Sequence, residues 1–86
     1  MKTFELEIVT PEAQVFSGAV KSVQVPGSLG SFQVLYNHAP IISTLSKGKI
    51  KLLRDDGEEV DFSMKDGVIE VLKNKTIILV EKIFGE

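Results

Sequence analysis

Apolar residues along this chain recur at every second position rather than every third or fourth. Phe4, Leu6 and Ile8 alternate with Thr3, Glu5 and Glu7, and Phe32, Val34 and Tyr36 with Ser31, Gln33 and Leu35. Ile50 and Leu52 alternate with Lys49 and Lys51, and Val60, Phe62 and Met64 with Glu59, Asp61 and Ser63. Successive side chains of a strand point to opposite faces, so this period marks half-buried strands. Pro11 ends the first run, Pro26-Gly27 stops Val20 to Val25, and Asn37-His38-Ala39-Pro40 ends the next. Ile41 to Leu45 is short, apolar and β-branched, and Ser46-Lys47-Gly48 closes it. Asp55-Asp56-Gly57 predicts a hairpin, because Asp and Gly tolerate positive φ. Lys65-Asp66-Gly67 predicts a further reversal, and Lys73-Asn74-Lys75 the last hairpin, between Val68–Leu72 and Thr76–Val80. Glu12-Ala13-Gln14-Val15 reads as a connection into a short strand. Turn signals spaced ~8–12 residues apart between short runs predict an all-β antiparallel sandwich with no helix. It forms one domain over residues 1–86.

Two stretches do not alternate. Val68-Ile69 with Val71-Leu72, and Ile77 to Val80, are apolar on both sides, which means covered on both sides. Either a neighbouring loop or sheet edge covers the outer face, or another protein docks on it.

Composition narrows the function classes. The chain has 86 residues, 43% hydrophobic and 26% charged, with a net charge of −2. That is an ordinary globular balance. Its lysines are scattered among acids, so no basic stripe for nucleic acid is visible; the group at Lys47, Lys49 and Lys51 reads as one solvated strand face. Cysteine is absent, which removes disulfides, thiolate chemistry and sulfur-ligated metals. No apolar run approaches the ~20 residues of a membrane span, so a role at a membrane would come through a partner.

Catalytic constellations are missing. His38 is the one histidine, and no serine sits in a nucleophile-elbow setting. Asp55-Asp56 and Glu58-Glu59 belong to a charged turn, where nothing would push two carboxyl pKa values apart. Gly27-Ser28-Leu29-Gly30 leads into a strand and lacks the helix N-terminus of a phosphate cradle. No catalytic residue, cofactor or metal is therefore expected. His38 lies in a break between strands, where it either fixes the loop by one hydrogen bond or contacts a partner from a rigid loop.

Six segments, in order and at consistent spacing, resemble the epsilon subunit of F-type ATP synthases. They are Phe16-Ser17-Gly18, Ser22-Val23-Gln24-Val25-Pro26-Gly27, Gly30, His38-Ala39-Pro40-Ile41-Ile42, Gly48-Lys49-Ile50 and Asp66-Gly67-Val68-Ile69-Glu70-Val71. The similarity runs from about Thr3 to Val80 and implies a flattened form of the sandwich, with about eight to ten short strands. It implies a non-catalytic rotor subunit of the central stalk, coupling the membrane c-ring to the gamma shaft in proton-driven ATP synthesis. Carried onto this sequence, the c-ring contacts are Ser28, Leu29, Gly30, Ser31 and Phe32. The gamma contacts are Thr10, His38, Ile41, Ile42 and Ser43, and the apolar outer faces of the 41–45 and 68–80 strands are candidates for the same side. The implied partners are gamma and the polar loops of the c-ring, with no nucleic acid, and the isolated chain is a monomer. The implied place is peripheral, on the cytoplasmic side of the bacterial inner membrane.

The chain departs from the family pattern at Ser31, often acidic in relatives, and at Gln33 and Asn37, where relatives carry Gly. Lys65-Asp66-Gly67 stands where a pair of glycines is more usual. The sequence runs to Glu86, where typical relatives continue into a C-terminal pair of helices that can inhibit ATP hydrolysis or bind ATP; whether the chain is naturally short or cut short, the resemblance implies that this polypeptide couples without that inhibition. An alternative from another class is a ligand-binding β-sandwich module, disfavoured by the lack of Trp and the single Tyr36.

Overall fold

Alternation is realised as seven strands in the computed structural model, which describes residues 2–84. These are β1 (Phe4–Val9), β2 (Gln14–Val25), β3 (Phe32–Leu35), β4 (Ile41–Leu45), β5 (Gly48–Arg54), β6 (Glu59–Leu72) and β7 (Lys75–Phe84). The count falls below the expected eight to ten because β2 and β6 are each long enough to serve both layers. The stretch from Gln14, read as a connection, is already strand.

Backbone pairing runs in a closed circuit from β1 through β7, β6, β5 and β2 back to β1. One layer holds β4, the second half of β6, β7, β1 and the first half of β2. The other holds β3, the second half of β2, β5 and the first half of β6. The result is a flattened sandwich measuring 31 × 24 × 20 Å. One pairing departs from the antiparallel expectation: β1 and β7 run parallel, from Glu5↔Lys75 to Val9↔Leu79.

Lys65-Asp66-Gly67 does not reverse the chain. β6 passes straight through it, and the pairing with β7 keeps one register on both sides, from Ser63↔Phe84 to Leu72↔Lys75. What changes is the phase of burial. Met64 is buried before this point and Ile69 and Val71 after it, an even-to-odd switch. The neighbouring strands switch in the same row, between Leu45 and Ile50 on one side and between Val80 and Ile83 on the other. A corner where three adjacent strands turn their inner faces together therefore looks, in sequence, like a turn. Asp66 supplies it with a positive φ of 54°, tolerated by Asp because its short side chain fits that region. Gly67 is needed for a different reason. A Cβ there would lie 2.6 Å from the Leu79 carbonyl oxygen and 3.0 Å from Val80 Cγ1.

Inside, Leu6, Ile8, Val20, Val23, Ile50, Met64, Ile69 and Ile78 are almost wholly buried. They come from both layers and form one core. Thr76 is buried among them, and its Oγ1 has no hydrogen-bond partner among the described residues.

The two hairpins predicted at Asp55 and Lys73 are present. Gly57 adopts φ 93°, and the Arg54 amide donates to the Glu58 carbonyl at 2.8 Å to close the first. Lys73 and Asn74 both have positive φ, 51° and 61°, the two-residue type I′ geometry that matches strand twist.

Candidate interaction surfaces

The segment Ser28–Phe32 runs from the connection between β2 and β3 into the first residue of β3, and the connection is built as a small, tied loop. The Gly30 amide donates to the Gly27 carbonyl at 3.0 Å, and the Ser28 amide to the Thr44 carbonyl at 3.0 Å. Thr44 Oγ1 adds a bond to Ser28 Oγ at 2.9 Å. Gly27 has no room for a side chain, since a Cβ would sit 2.6 Å from the Gly30 oxygen and 2.9 Å from the Phe32 ring. Closed this way, the loop holds Leu29 fully in solvent, with 105% relative exposure, while Phe32 folds back against the core. Ser28, Gly30 and Ser31 are exposed beside Leu29. Leu29 thus contributes nothing to the packing of the core.

The His38 loop lies at the opposite end of β4. Its turn is closed by the His38 amide donating to the Leu35 carbonyl at 3.1 Å, and His38 Nδ1 donates to the Ala39 carbonyl at 2.7 Å. Asn37, at φ 65°, is gripped by the last hairpin. Its amide donates to Asn74 Oδ1 at 2.7 Å, and Asn74 Nδ2 donates to Asn37 Oδ1 at 3.1 Å. Asn74 is a positioning residue that sequence reasoning missed, because a turn asparagine carries no sign of a partner 37 positions away. His38 therefore fixes its loop by one bond, and it remains half-exposed.

Between these loops lies the outer face of the first layer. Cross-strand register puts Thr44, Val68, Leu79 and Val9 in one row and Ile42, Glu70, Ile77 and Glu7 in the next. Ile42 is 72% exposed, Leu79 53% and Leu72 50%. The doubly apolar runs of β6 and β7 are thus covered on the inner side only, and no loop or sheet edge of the described chain shields the outer one. Of Ile41, Ile42 and Ser43, only Ile42 points to this face; Ile41 packs toward the core and Ser43 lies half-buried on the same side. Thr10 stands at the far edge, in the turn after β1, where its Oγ1 accepts from the Ala13 amide at 3.1 Å. The five expected gamma contacts do not gather into one cluster, since Ile42 and Thr10 bracket the apolar face and His38 caps one end.

The outer face of the second layer is different. Gln24, Gln33, Lys51, Glu59 and Asp61 line it, a polar surface of mixed charge. Among the described residues, no group of three or more His, Cys, Asp or Glu side chains could hold a metal ion.

Residues 3–86 match the family described as "ATP synthase, Delta/Epsilon chain, beta-sandwich domain". An ATP synthase epsilon chain of Chlorobaculum tepidum is 45% identical over 82 residues, covering 95% of this chain and 93% of the relative. The chain belongs to the ATP synthase epsilon family. An epsilon chain is a non-catalytic subunit of ATP synthase. The epsilon chain of Chlorobium limicola is 44% identical, with the same coverage. That of Campylobacter hominis is 47% identical over 75 residues, which are 86% of this chain and 58% of the relative. The fold is shared with solved structures of much lower identity. A chain of the Euglena gracilis mitochondrial ATP synthase, OSCP/F1/c-ring, superposes with TM-score 0.90 at 14% identity, covering 95% of this chain and 52% of that one. A chain of the Tetrahymena thermophila mitochondrial ATP synthase central stalk/c-ring gives 0.79 at 22% identity, covering 96% and 66%. No helix among the described residues of this epsilon chain is long and apolar enough to cross a membrane.

Proposed function

We propose that this epsilon chain works as a rotor subunit, one folding unit that joins the c-ring to the gamma shaft and passes proton-driven rotation between them. On this reading it sits peripherally on the cytoplasmic side of the bacterial inner membrane and meets the membrane only through the complex. The observation that carries the reading is an uncovered apolar sheet face on a chain of an ATP synthase family, around Ile42, Val68 and Leu79. Large apolar patches on soluble chains mark surfaces that a partner covers. The Ser28–Phe32 loop, with Leu29 outward, is a second and separate contact, suited to the polar loops of the c-ring. Ile42, Thr10 and His38 belong to the gamma side.

A coupling element must carry load without deforming, and the construction supports that. Both long strands cross between layers, so the layers share covalent backbone as well as a core packed at crystal-like density. A stable contact on each surface would bury on the order of 1,000 Å² or more.

The test is association of the whole chain with a gamma-containing stalk, measured as a stoichiometric complex at low salt. Ile42→Glu changes an exposed position and should leave the fold within about 0.5 kcal/mol of wild type. It removes an apolar side chain from the contact and introduces a charge, so binding should weaken ~10- to 100-fold. Wild-type chain that fails to join the stalk refutes the reading. Unchanged binding by Ile42→Glu refutes the assignment of this face.

A further inference from the structure

The dipeptide Asp-Gly occurs twice, at Asp56-Gly57 and Asp66-Gly67, and the fold holds the two copies very differently. Aspartate before glycine carries a latent reaction. The glycine amide nitrogen, unshielded by a Cβ, can attack Cγ of the preceding carboxyl group in its neutral form. Ring closure requires the peptide between the two residues to rotate and its amide proton to be given up. Both steps depend on how firmly the backbone is held.

At Asp56-Gly57 the hold is weak. Asp55, Asp56, Gly57 and Glu58 are all exposed, and nothing lies within 4 Å of where a Gly57 Cβ would stand. The Gly57 amide donates to the Arg54 carbonyl at 3.0 Å, a bond inside the turn itself. Asp56 Oδ1 accepts from the Glu58 amide at 2.9 Å, so the carboxyl group is folded along the chain, closing a ring around the 56–57 peptide bond. Hairpin tips of this kind open at little cost, because few contacts oppose them. Asp66-Gly67 is held on both sides. Gly67 is paired with Leu45 of β4 and with Val80 of β7, and a Cβ on it would meet the Leu79 carbonyl oxygen at 2.6 Å. Rotating the 66–67 peptide means parting three strands, an opening that approaches unfolding. The Asp66 carboxylate is exposed, but the nitrogen that would attack it is locked. Asn37 and Asn74 do not compete, since His38 and Lys75 shield the following nitrogens and each asparagine is tied to the other.

We infer that Asp56 is a site of spontaneous isoaspartate formation and that the fold spares Asp66. Gly57 N bonds to Asp56 Cγ, and the amide proton and the carboxyl hydroxyl leave as water, giving a succinimide. Water then adds to either ring carbonyl. Opening at Cγ restores aspartate. Opening at the Asp56 backbone carbonyl leaves the chain running through the side-chain carboxyl carbon, one methylene longer. Atoms balance, and nothing is oxidised or reduced. The freed carboxylate stands on an exposed hairpin, where it is a substrate for an isoaspartyl-directed carboxyl methyltransferase with S-adenosylmethionine as methyl donor.

The intact chain is aged at neutral pH, folded and, in parallel, unfolded in urea, then digested with trypsin. Cleavage after Arg54, Lys65 and Lys73 puts the two sites on separate peptides, 55–65 and 66–73. Isoaspartyl and aspartyl forms are separated chromatographically at equal mass, and ageing in oxygen-labelled water marks each ring opening. In the folded chain, isoaspartate should form at Asp56 at least about tenfold faster than at Asp66. In urea the two rates should come within about threefold, because the constraint is gone. Asp56→Asn, which expels ammonia instead of water, should react faster, and Asp56→Glu, which needs a larger ring, should not react. Aged folded chain should accept labelled methyl groups from such a methyltransferase, and fresh chain should not. Absence of isoaspartate at Asp56 in the folded chain overturns the inference, as do equal rates at the two sites. Rates still about tenfold apart in urea refute protection by the fold. Isoaspartate that takes no methyl group on the folded chain refutes the accessibility of the hairpin.

Discussion

Gly67→Ala tests whether the corner in β6 is built as described. A Cβ at Gly67 would sit 2.6 Å from the Leu79 carbonyl oxygen, 3.0 Å from Val80 Cγ1 and 3.2 Å from Met64 Cε. The first neighbour is backbone of the strand paired to β6, so it cannot swing aside as a side chain would. Relief requires β6 and β7 to part locally, in the row where three strands change phase. Overpacking of this kind costs about 2–3 kcal/mol, while Ala in place of Gly returns about 0.5–1 kcal/mol through a less flexible unfolded chain. The net loss is therefore about 1–2.5 kcal/mol. Gly18→Ala is the control, because its Cβ would meet only the Phe16 ring at 3.7 and 3.9 Å, ordinary contact. It should be stabilised by about 0.5 kcal/mol from the same entropic gain. With a urea m-value of about 1 kcal/mol/M for a chain of this size, the two midpoints should lie about 1.5–3 M apart. A Gly67→Ala midpoint equal to that of Gly18→Ala would refute the close approach at the corner.

Two further perturbations address stability and loop positioning. Thr76→Val replaces a buried hydroxyl that has no partner among the described residues by a methyl group of similar shape. It should raise stability by about 1 kcal/mol, read as a higher urea midpoint; a fall would mean that the hydroxyl is satisfied in solution. Asn74→Gly keeps the positive φ of the hairpin but removes both bonds to Asn37. Amide exchange at Asn37 should accelerate with a stability loss of about 1 kcal/mol, and unchanged exchange would show that the loop holds itself.

Much of the architecture was legible along the chain because strand burial has a short, strict period. β1, β3 and β5 follow from alternation alone, and the Asp55–Gly57 and Lys73–Asn74 hairpins from residues that accept positive φ. The interaction surfaces were legible unevenly. The apolar excess in Val68–Leu72 and Ile77–Val80 signals apolar surface on the outer side as well, since the core uses only one side of a strand. Leu29 stands out less, for one leucine between glycines and serines says nothing of direction until Gly27 closes the loop behind it. The Asn37–Asn74 grip left no trace, because local turn chemistry already accounts for both asparagines.

The sequence by itself determined an all-β sandwich with no catalytic constellation and with more apolar strand surface than one core can use. Only tertiary structure decided that Lys65-Asp66-Gly67 is a corner and not a reversal. Locally, a phase slip in alternation and a turn look the same; they differ in whether the neighbouring strands slip in the same row. It decided equally that β1 joins β7 in parallel and that Ile42, rather than Ile41 or Ser43, meets the outside. Those outcomes depend on which strand lies beside which, and pairing between distant segments is set by the burial of the whole core at once.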